Sequence, residues 1–337
     1  VKKGMAKLYN EDGWVNWPYI VSRKCAFNMV VGARGVGKTY GLCKYLIESG
    51  QRFIYLRRLK SQLEQCATES GNPFKKLNTD LERDIKPKNS MGGVIYSDNG
   101  EMVALGVALS TVANVRGFDY SDYNYIVFDE AIASAGERPI PHEFEAFLNF
   151  YETVNRNREL TGGDPVQCFL LGNANRLTNP YFAGWGFMRT ALNMLRGRQM
   201  VWNNADNTRM MILLQDSRIS KEKAGTALYK NSSADFMTMA LDNAFRTDGT
   251  QIKSMPLREY NHIVSVGDIG IYKHKYTDDY YVSFTTGKDR FYDAYGMGLK
   301  MFQNDFFDLR LAYMVDKKVW FESYEAELIF RDLFDLT

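Results

Sequence analysis

Cysteine is scarce and scattered. Its four copies, Cys25, Cys43, Cys66 and Cys168, form no C-x-x-C pair. This spacing excludes a zinc knuckle or a disulfide framework as the organising device and fits a reducing cytoplasm. No apolar run approaches the ~20 residues that a membrane-spanning helix needs. The first residues, VKKGMAKLYNEDG, hold no apolar core of a secretory signal, so we expect no membrane partner. An excess of one charge is also missing. Lys and Arg number 42 against 40 Asp and Glu, a net charge of +2. Any contact with nucleic acid must come from a local basic patch. Fixed-period repeats and low-complexity tracts are absent too, which excludes a solenoid.

What is present is an ordinary globular composition. The 337 residues are 45% hydrophobic and 24% charged. That length allows two domains, each with its own core. Aromatics reach 14%, which favours packed structure over disorder.

Short apolar strands alternate with helical segments over the first 200 residues. AFNMVV (26–31) and RFIYLR (52–57) read as strands, with a helix over Lys38–Glu48 between them, closed by Ser49-Gly50. GVIYSDNGEMVALGVAL reads as a hairpin turning at Asn99-Gly100. NYIVFDE is a strand ending in two acids, Pro141–Asn157 a helix, and VQCFLLGNA another strand. This alternation predicts an α/β domain with a mainly parallel sheet. After about Met200 the chain turns polar and irregular, as a linker would. We therefore expect an α/β domain over 1–205, a linker over 206–245 and a smaller domain over 246–337. In the last of these, HIVSVGDIGIYKHKYTDDYYVSFTT predicts two strands joined at Thr277-Asp278-Asp279, and helical patterns follow.

Gly32-Ala33-Arg34-Gly35-Val36-Gly37-Lys38-Thr39 matches the phosphate-loop pattern GxxxxGK[ST] between a strand and a helix. Gly32, Gly35 and Gly37 permit tight turns that aim backbone N–H groups at phosphate oxygens. The helix N-terminus adds partial positive charge. Lys38 reaches the terminal phosphates, and the Thr39 hydroxyl suits Mg²⁺. Asp129 emerges at the carboxyl end of the YIVF strand, where it can hold Mg²⁺, and Glu130 can polarise an attacking water. An Asp-Glu pair here belongs to the additional-strand, catalytic-glutamate branch of P-loop NTPases. No guanine-reading NKxD motif occurs, so ATP is favoured. On the following strand, Asn173 would lie between the two motifs as a sensor of the γ-phosphate, or as a plain strand-end turn residue.

Taken together, GARGVGKTYG, FIYLRRLK, YIVFDE, TVNRNRE and NANRLTNPYF resemble the DNA-encapsidation ATPases of φ29-like small tailed phages. The resemblance covers most of residues 27–185. It implies a homo-oligomeric ring, a pentamer, in the host cytoplasm, transiently docked on the portal (connector) of a procapsid. There ATP hydrolysis drives double-stranded DNA inward, and a packaging RNA is a further candidate partner. It also implies a C-terminal ribonuclease H-like domain that has lost nuclease activity. Lys38 and Thr39 take the Walker A positions, Asp129 and Glu130 the Walker B positions, and Asn173 the sensor position. Arg156 takes that of an arginine finger reaching a neighbour's ATP, and Arg116 that of a second basic residue acting in trans.

Helical phase separates Arg156 from Arg158. Phe144, Phe147, Leu148, Tyr151 and Val154 form an apolar stripe. Seven residues beyond Tyr151 the stripe meets Arg158, whereas Arg156 lies about 140° from Tyr151. If the helix persists, Arg158 faces its own core and pairs with an internal acid, and Arg156 faces outward. Arg34, inside the loop, is a third arginine candidate. Arg57, Arg58 and Lys60 leave the second strand together, either towards nucleotide or DNA phosphate or as a solvated loop. Lys273 and Lys275 are candidates for DNA phosphate contact on the C-terminal hairpin. Two other functions fit less well. One is a terminase-like protein with an active metal-dependent nuclease around Asp268, read as lying within a strand. The other is a non-translocating nucleotide switch.

Overall fold

The computed structural model describes residues 8–33, 35–90, 92–115, 119–134, 137–138, 140–173, 179–214 and 251–336. The chain divides into two compact units. The first holds Val1–Ile132, Glu145–Ala174 and Arg198–Asn243; the second holds Ala133–Phe144, Asn175–Gly197 and Ala244–Thr337.

The strands of the first unit are β1 (Phe27–Gly32), β2 (Phe53–Arg57), β3 (Lys86–Ser90), β4 (Gly93–Asp98), β5 (Glu101–Ala108), β6 (Tyr125–Phe128), β7 (Gln167–Gly172), β8 (Val201–Asn203) and β9 (Arg209–Leu214). Among the described residues they form one nine-stranded sheet in the order β3-β4-β5-β2-β6-β7-β1-β9-β8. Its centre, from β5 through β9, is parallel. These central strands are apolar almost throughout, as strands covered on both faces must be. The β4–β5 hairpin turns at Asn99 and Gly100, both at positive φ (49° and 89°), which is the turn those two residues favour.

Helices α1 (Trp17–Val21), α2 (Lys38–Glu48), α3 (Lys60–Cys66), α4 (Lys75–Leu81) and α5 (Glu143–Asn155) accompany this sheet. Trp17, Leu42 and Leu46 pack with Val30, Val127, Phe169 and Leu171 in one core layer. The alternate residues face the other way. There Phe27 meets Tyr151 at 4.4 Å between ring centroids, and Phe128 stacks on Phe147 of α5 at 5.9 Å.

The expected boundary at 205 falls inside this sheet. The apolar run RMMILL (209–214) is β9, parallel to β1, and it pairs with β8 across the polar turn between them. Residues 215–250, which include most of the expected linker (206–245), lie outside the described residues.

The second unit contains α6 (Pro180–Trp185) and α7 (Phe187–Arg196), then β10 (Tyr260–Val266), β11 (Ile269–His274), β12 (Tyr280–Ser283), β13 (Phe291–Tyr292), α8 (Gly296–Asp305), α9 (Phe307–Met314), β14 (Val319–Phe321) and α10 (Tyr324–Leu333). Residues 175–197, expected in the first domain, thus group with the C-terminal part. The five strands order as β13-β10-β11-β12-β14, an antiparallel meander with a parallel strand on each edge. Phe330 of α10 packs against Phe321, Tyr313 and Phe334.

The expected two strands are therefore three. Gly267 and Asp268 form the turn between β10 and β11, with Gly267 at a φ of 52°. Asp268 is a turn residue and not a strand residue. Burial raises its carboxyl pKa above 3.8. No helix among the described residues is long and apolar enough to cross a membrane.

Candidate functional site

β1, β6 and β7 are neighbours with β7 in the middle, so their carboxyl ends bring three separate sequence blocks together. The glycine-rich loop leaves β1 and enters α2 at Gly37, whose φ is 84°. Lys38 is buried at the first turn of α2. Its Nζ donates to the carbonyls of Gly32 and Ala33 at 2.8 Å each and to Asn173 Oδ1 at 3.0 Å. Asn173 thus stands in contact with the lysine of the loop. Thr39 Oγ1 donates to Asp129 Oδ1 at 2.5 Å, which puts a hydroxyl and a carboxylate side by side.

Asp129 continues the β6–β2 pairing, its N–H donating to the Leu56 carbonyl at 3.0 Å. The backbone then turns sharply. Glu130 stands at a φ of 51°, and Ala131 is held by the Leu171 carbonyl of β7 at 2.9 Å. The two adjacent acids therefore face different surroundings. Only 13% of the Asp129 side chain is exposed, against 54% for Glu130.

Tyr55, which the sequence reading did not single out, and Arg57 of the basic cluster complete the site. Tyr55 OH donates to Asp129 Oδ2 at 2.7 Å. The Arg57 guanidinium forks across both acids, Nη1 to Asp129 Oδ2 at 2.8 Å and Nη2 to Glu130 Oε2 at 2.6 Å. Burial opposes the charge on Arg57, but Tyr55, Asp129 and Glu130 outweigh it and raise its pKa. Burial, with Asp129 next, pushes the Tyr55 hydroxyl well up, so it stays a donor. The signal was available: Tyr55 and Arg57 are two apart on a strand and so share a face. β6, which carries Asp129 at its end, is the neighbouring parallel strand.

Of the two alternatives for the basic cluster, the solvated loop does not hold for Arg57 and Arg58, which are buried, at 9% and 1% exposure. Lys60 alone of the three is exposed, beside Glu64 at 3.6 Å. In the second unit, Lys273 lies 3.3 Å from Asp278, and Lys275 donates to the Arg258 carbonyl at 2.7 Å.

The helix carrying TVNRNREL ends at Asn155. Arg156 stands at a φ of 48°, its N–H donating to the Glu152 carbonyl at 2.7 Å, and its side chain is exposed. Its outward position thus follows from a left-handed helix stop and not from helical phase. Arg158 turns back on its own unit, but no acid among the described residues receives it. It donates to Asn124 Oδ1 at 2.8 Å and to the carbonyls of Tyr120, Ser121 and Tyr123 at 2.9–3.0 Å. Arg34 and Arg116 lie outside the described residues.

The donor set fits a nucleotide and a hard cation. An ammonium and backbone N–H groups suit phosphate oxygens, and the Thr39–Asp129 oxygen pair suits a small divalent ion that keeps waters and phosphate oxygens as its other ligands. No group of three or more His, Cys, Asp or Glu among the described residues could hold a metal by itself.

Residues 10–310 match the family model described as podovirus DNA encapsidation protein (Gp16). The chain belongs to that family. It is 35% identical over 160 residues to the DNA packaging protein of Bacillus phage phi29, covering 46% of this chain and 45% of that protein. It is 30% identical over 229 residues to the DNA packaging protein of Bacillus phage B103, covering 66% and 64%. The matched stretch thus spans about half the length of the phi29 protein. Among solved structures, a chain of the bacteriophage phi29 viral genome packaging motor assembly superposes with a TM-score of 0.59 at 19% identity, over 95% of this chain and 99% of that one. At that identity the likeness speaks for the fold, a mixed α/β arrangement.

Proposed function

We propose that this protein is an ATP-hydrolysing motor that moves double-stranded viral DNA into a procapsid. It acts as a homo-oligomeric ring, a pentamer, docked on the portal in the host cytoplasm. One observation carries this reading. Lys38, Thr39, Asp129, Glu130 and Asn173 converge at the ends of β1, β6 and β7 with the polarity that hydrolysis needs.

Gly32–Thr39 is the phosphate loop. Lys38 and the backbone N–H groups hold the phosphate chain, and charge developing on the γ-phosphoryl group in the transition state is stabilised by those preset donors. Thr39 and Asp129 would hold Mg²⁺, which when bound neutralises charge between the β- and γ-phosphates. Glu130 orients and polarises the attacking water. Asn173, already in contact with Lys38, registers the γ-phosphate. Arg57 fixes both acids and so orients the Glu130 carboxylate. Arg156, on the surface, is the finger presented to a neighbour's ATP, with Arg116 and Arg34 as further arginine candidates.

The second unit serves as a ribonuclease H-like platform without nuclease activity. In support, Asp268 sits in a turn. DNA phosphates are met by exposed lysines, of which Lys60, Lys273 and Lys275 are candidates, and a packaging RNA is a further partner. The test is nucleotide hydrolysis with and without DNA and procapsids. Wild type should be stimulated, and Glu130→Gln should bind ATP without hydrolysing it. A Glu130→Gln protein that hydrolyses like wild type would refute the reading.

A further inference from the structure

The N-terminal hairpin carries an aromatic residue that the hydrolytic cluster does not use. Tyr9 bridges Val15, and the turn between them is closed by Asn10, whose side chain accepts from the Trp14 N–H at 2.8 Å while its own N–H donates to the Trp14 carbonyl at 2.8 Å. Gly13, at a φ of 87°, permits the turn. Asn16 N–H then returns to the Leu8 carbonyl at 2.8 Å, and α1 begins. The backbone of Trp14 is thus fixed through both its N–H and its carbonyl.

Where it is fixed matters. A Cβ built on Gly37 would meet Trp14 Cε3 at 2.9 Å and Cζ3 at 3.2 Å. The benzo edge of the indole therefore rests on the last glycine of the loop, one residue before Lys38. Yet 43% of Trp14 remains exposed. Trp17, three residues on, shows the contrast: it is 2% exposed and meets Phe169 edge-on at 5.9 Å within the core. A large aromatic side chain left half in water, on a rigid hairpin, against a phosphate-binding loop, is the arrangement that stacks a flat ring. The proposed ligand supplies such a ring, tethered to phosphates that the same loop would hold.

We infer that Trp14 is the stacking platform for the purine base of the bound nucleotide. The inference rests on the phosphate-loop reading and adds the base to it. Stacking on an indole is tolerant of base identity, because every base offers a π-face. Trp14 thus supplies affinity for nucleosides over bare polyphosphate and little choice among purines. It also restricts position 37. A side chain at Gly37 would collide with the indole and would need a positive φ, so the glycine serves the platform as well as the phosphates.

The experiment is calorimetric titration of the full chain and of Trp14→Ala and Trp14→Phe with ATP, ADP and inorganic tripolyphosphate. Trp14→Ala should weaken ATP and ADP by about tenfold or more, the usual scale for a lost base–aromatic stack. Tripolyphosphate affinity should be unchanged, and Trp14→Phe should keep most of the nucleotide affinity. Indole emission gives an independent readout. ATP should quench it, tripolyphosphate should not, and the quench should vanish in Trp14→Phe. Equal weakening of ATP and tripolyphosphate would mean that Trp14 only shapes the loop, and unchanged ATP affinity with an unchanged quench would mean that it touches no base; either overturns the assignment. Failure of wild type to bind ATP or tripolyphosphate would instead overturn the phosphate-loop reading beneath it.

Discussion

Arg57 holds Glu130 and Asp129 at once, one guanidinium nitrogen on each carboxylate at 2.6 and 2.8 Å. The Asp129 side is nearly dry, and the Glu130 side opens to solvent. Arg57→Ala leaves Asp129 short of its cation and should cost on the order of 3 kcal/mol in denaturant unfolding. Arg57→Lys keeps a charge but cannot fork. It should fold nearly as well and lose most of its turnover at saturating ATP. Wild-type turnover in Arg57→Lys would show that the bridge is only structural.

Arg156 and Arg158 should separate cleanly by phenotype. Arg158→Ala removes bonds to three carbonyls and the Asn124 side chain. Such charge-assisted bonds matter most when their acceptors lose every partner, so a loss of about 2 kcal/mol in unfolding free energy is expected. Arg156→Ala should unfold like wild type.

The same Arg156→Ala chain should not hydrolyse ATP as a uniform ring. Mixed with Glu130→Gln subunits, which retain Arg156, it should regain hydrolysis at the sites where an intact Glu130 faces a neighbour's Arg156. The readout is ATPase rate against mixing ratio. Full activity of the uniform Arg156→Ala ring would end the trans assignment.

Asp268 gives a pH test of the second unit. Burial raises its pKa in the folded state above the ordinary 3.8. A raised carboxyl favours the folded state only while protonated. Its relative contribution is full below the unfolded pKa and is lost as pH rises through the folded value. Asp268→Asn should therefore raise the melting temperature at pH 7, with the gain shrinking towards pH 3. A nuclease ligand would show a different result, with metal-dependent DNA cleavage in wild type that Asp268→Asn abolishes.

Much of the first unit was legible because local chemistry and fold agree there. Lys38–Glu48 begins where the loop glycines end and stops at Ser49-Gly50, as the sequence predicts. Asn99-Gly100 marks its hairpin for the same reason. The misreadings share a cause, which is dependence on partners distant in sequence. RMMILL follows a polar turn that looked like the start of a linker, and only pairing with β1 makes it part of the sheet. Arg57 looked exposed by type, but two acids more than 70 residues away neutralise it in the interior. Arg156 ends its helix at positive φ without the glycine that would have announced the stop. Gly267-Asp268 divides one apparent strand into two because a two-residue turn leaves the apolar pattern nearly unbroken.

The central claim is that hydrolysis at Glu130 moves DNA. The most direct measurement is the amount of double-stranded DNA protected from added nuclease after incubation with procapsids and ATP, comparing wild type with Glu130→Gln. Wild type should protect DNA in proportion to ATP consumed, and Glu130→Gln should bind ATP and protect none. Protection by Glu130→Gln, or brisk ATP consumption by wild type with no DNA protected, would contradict it.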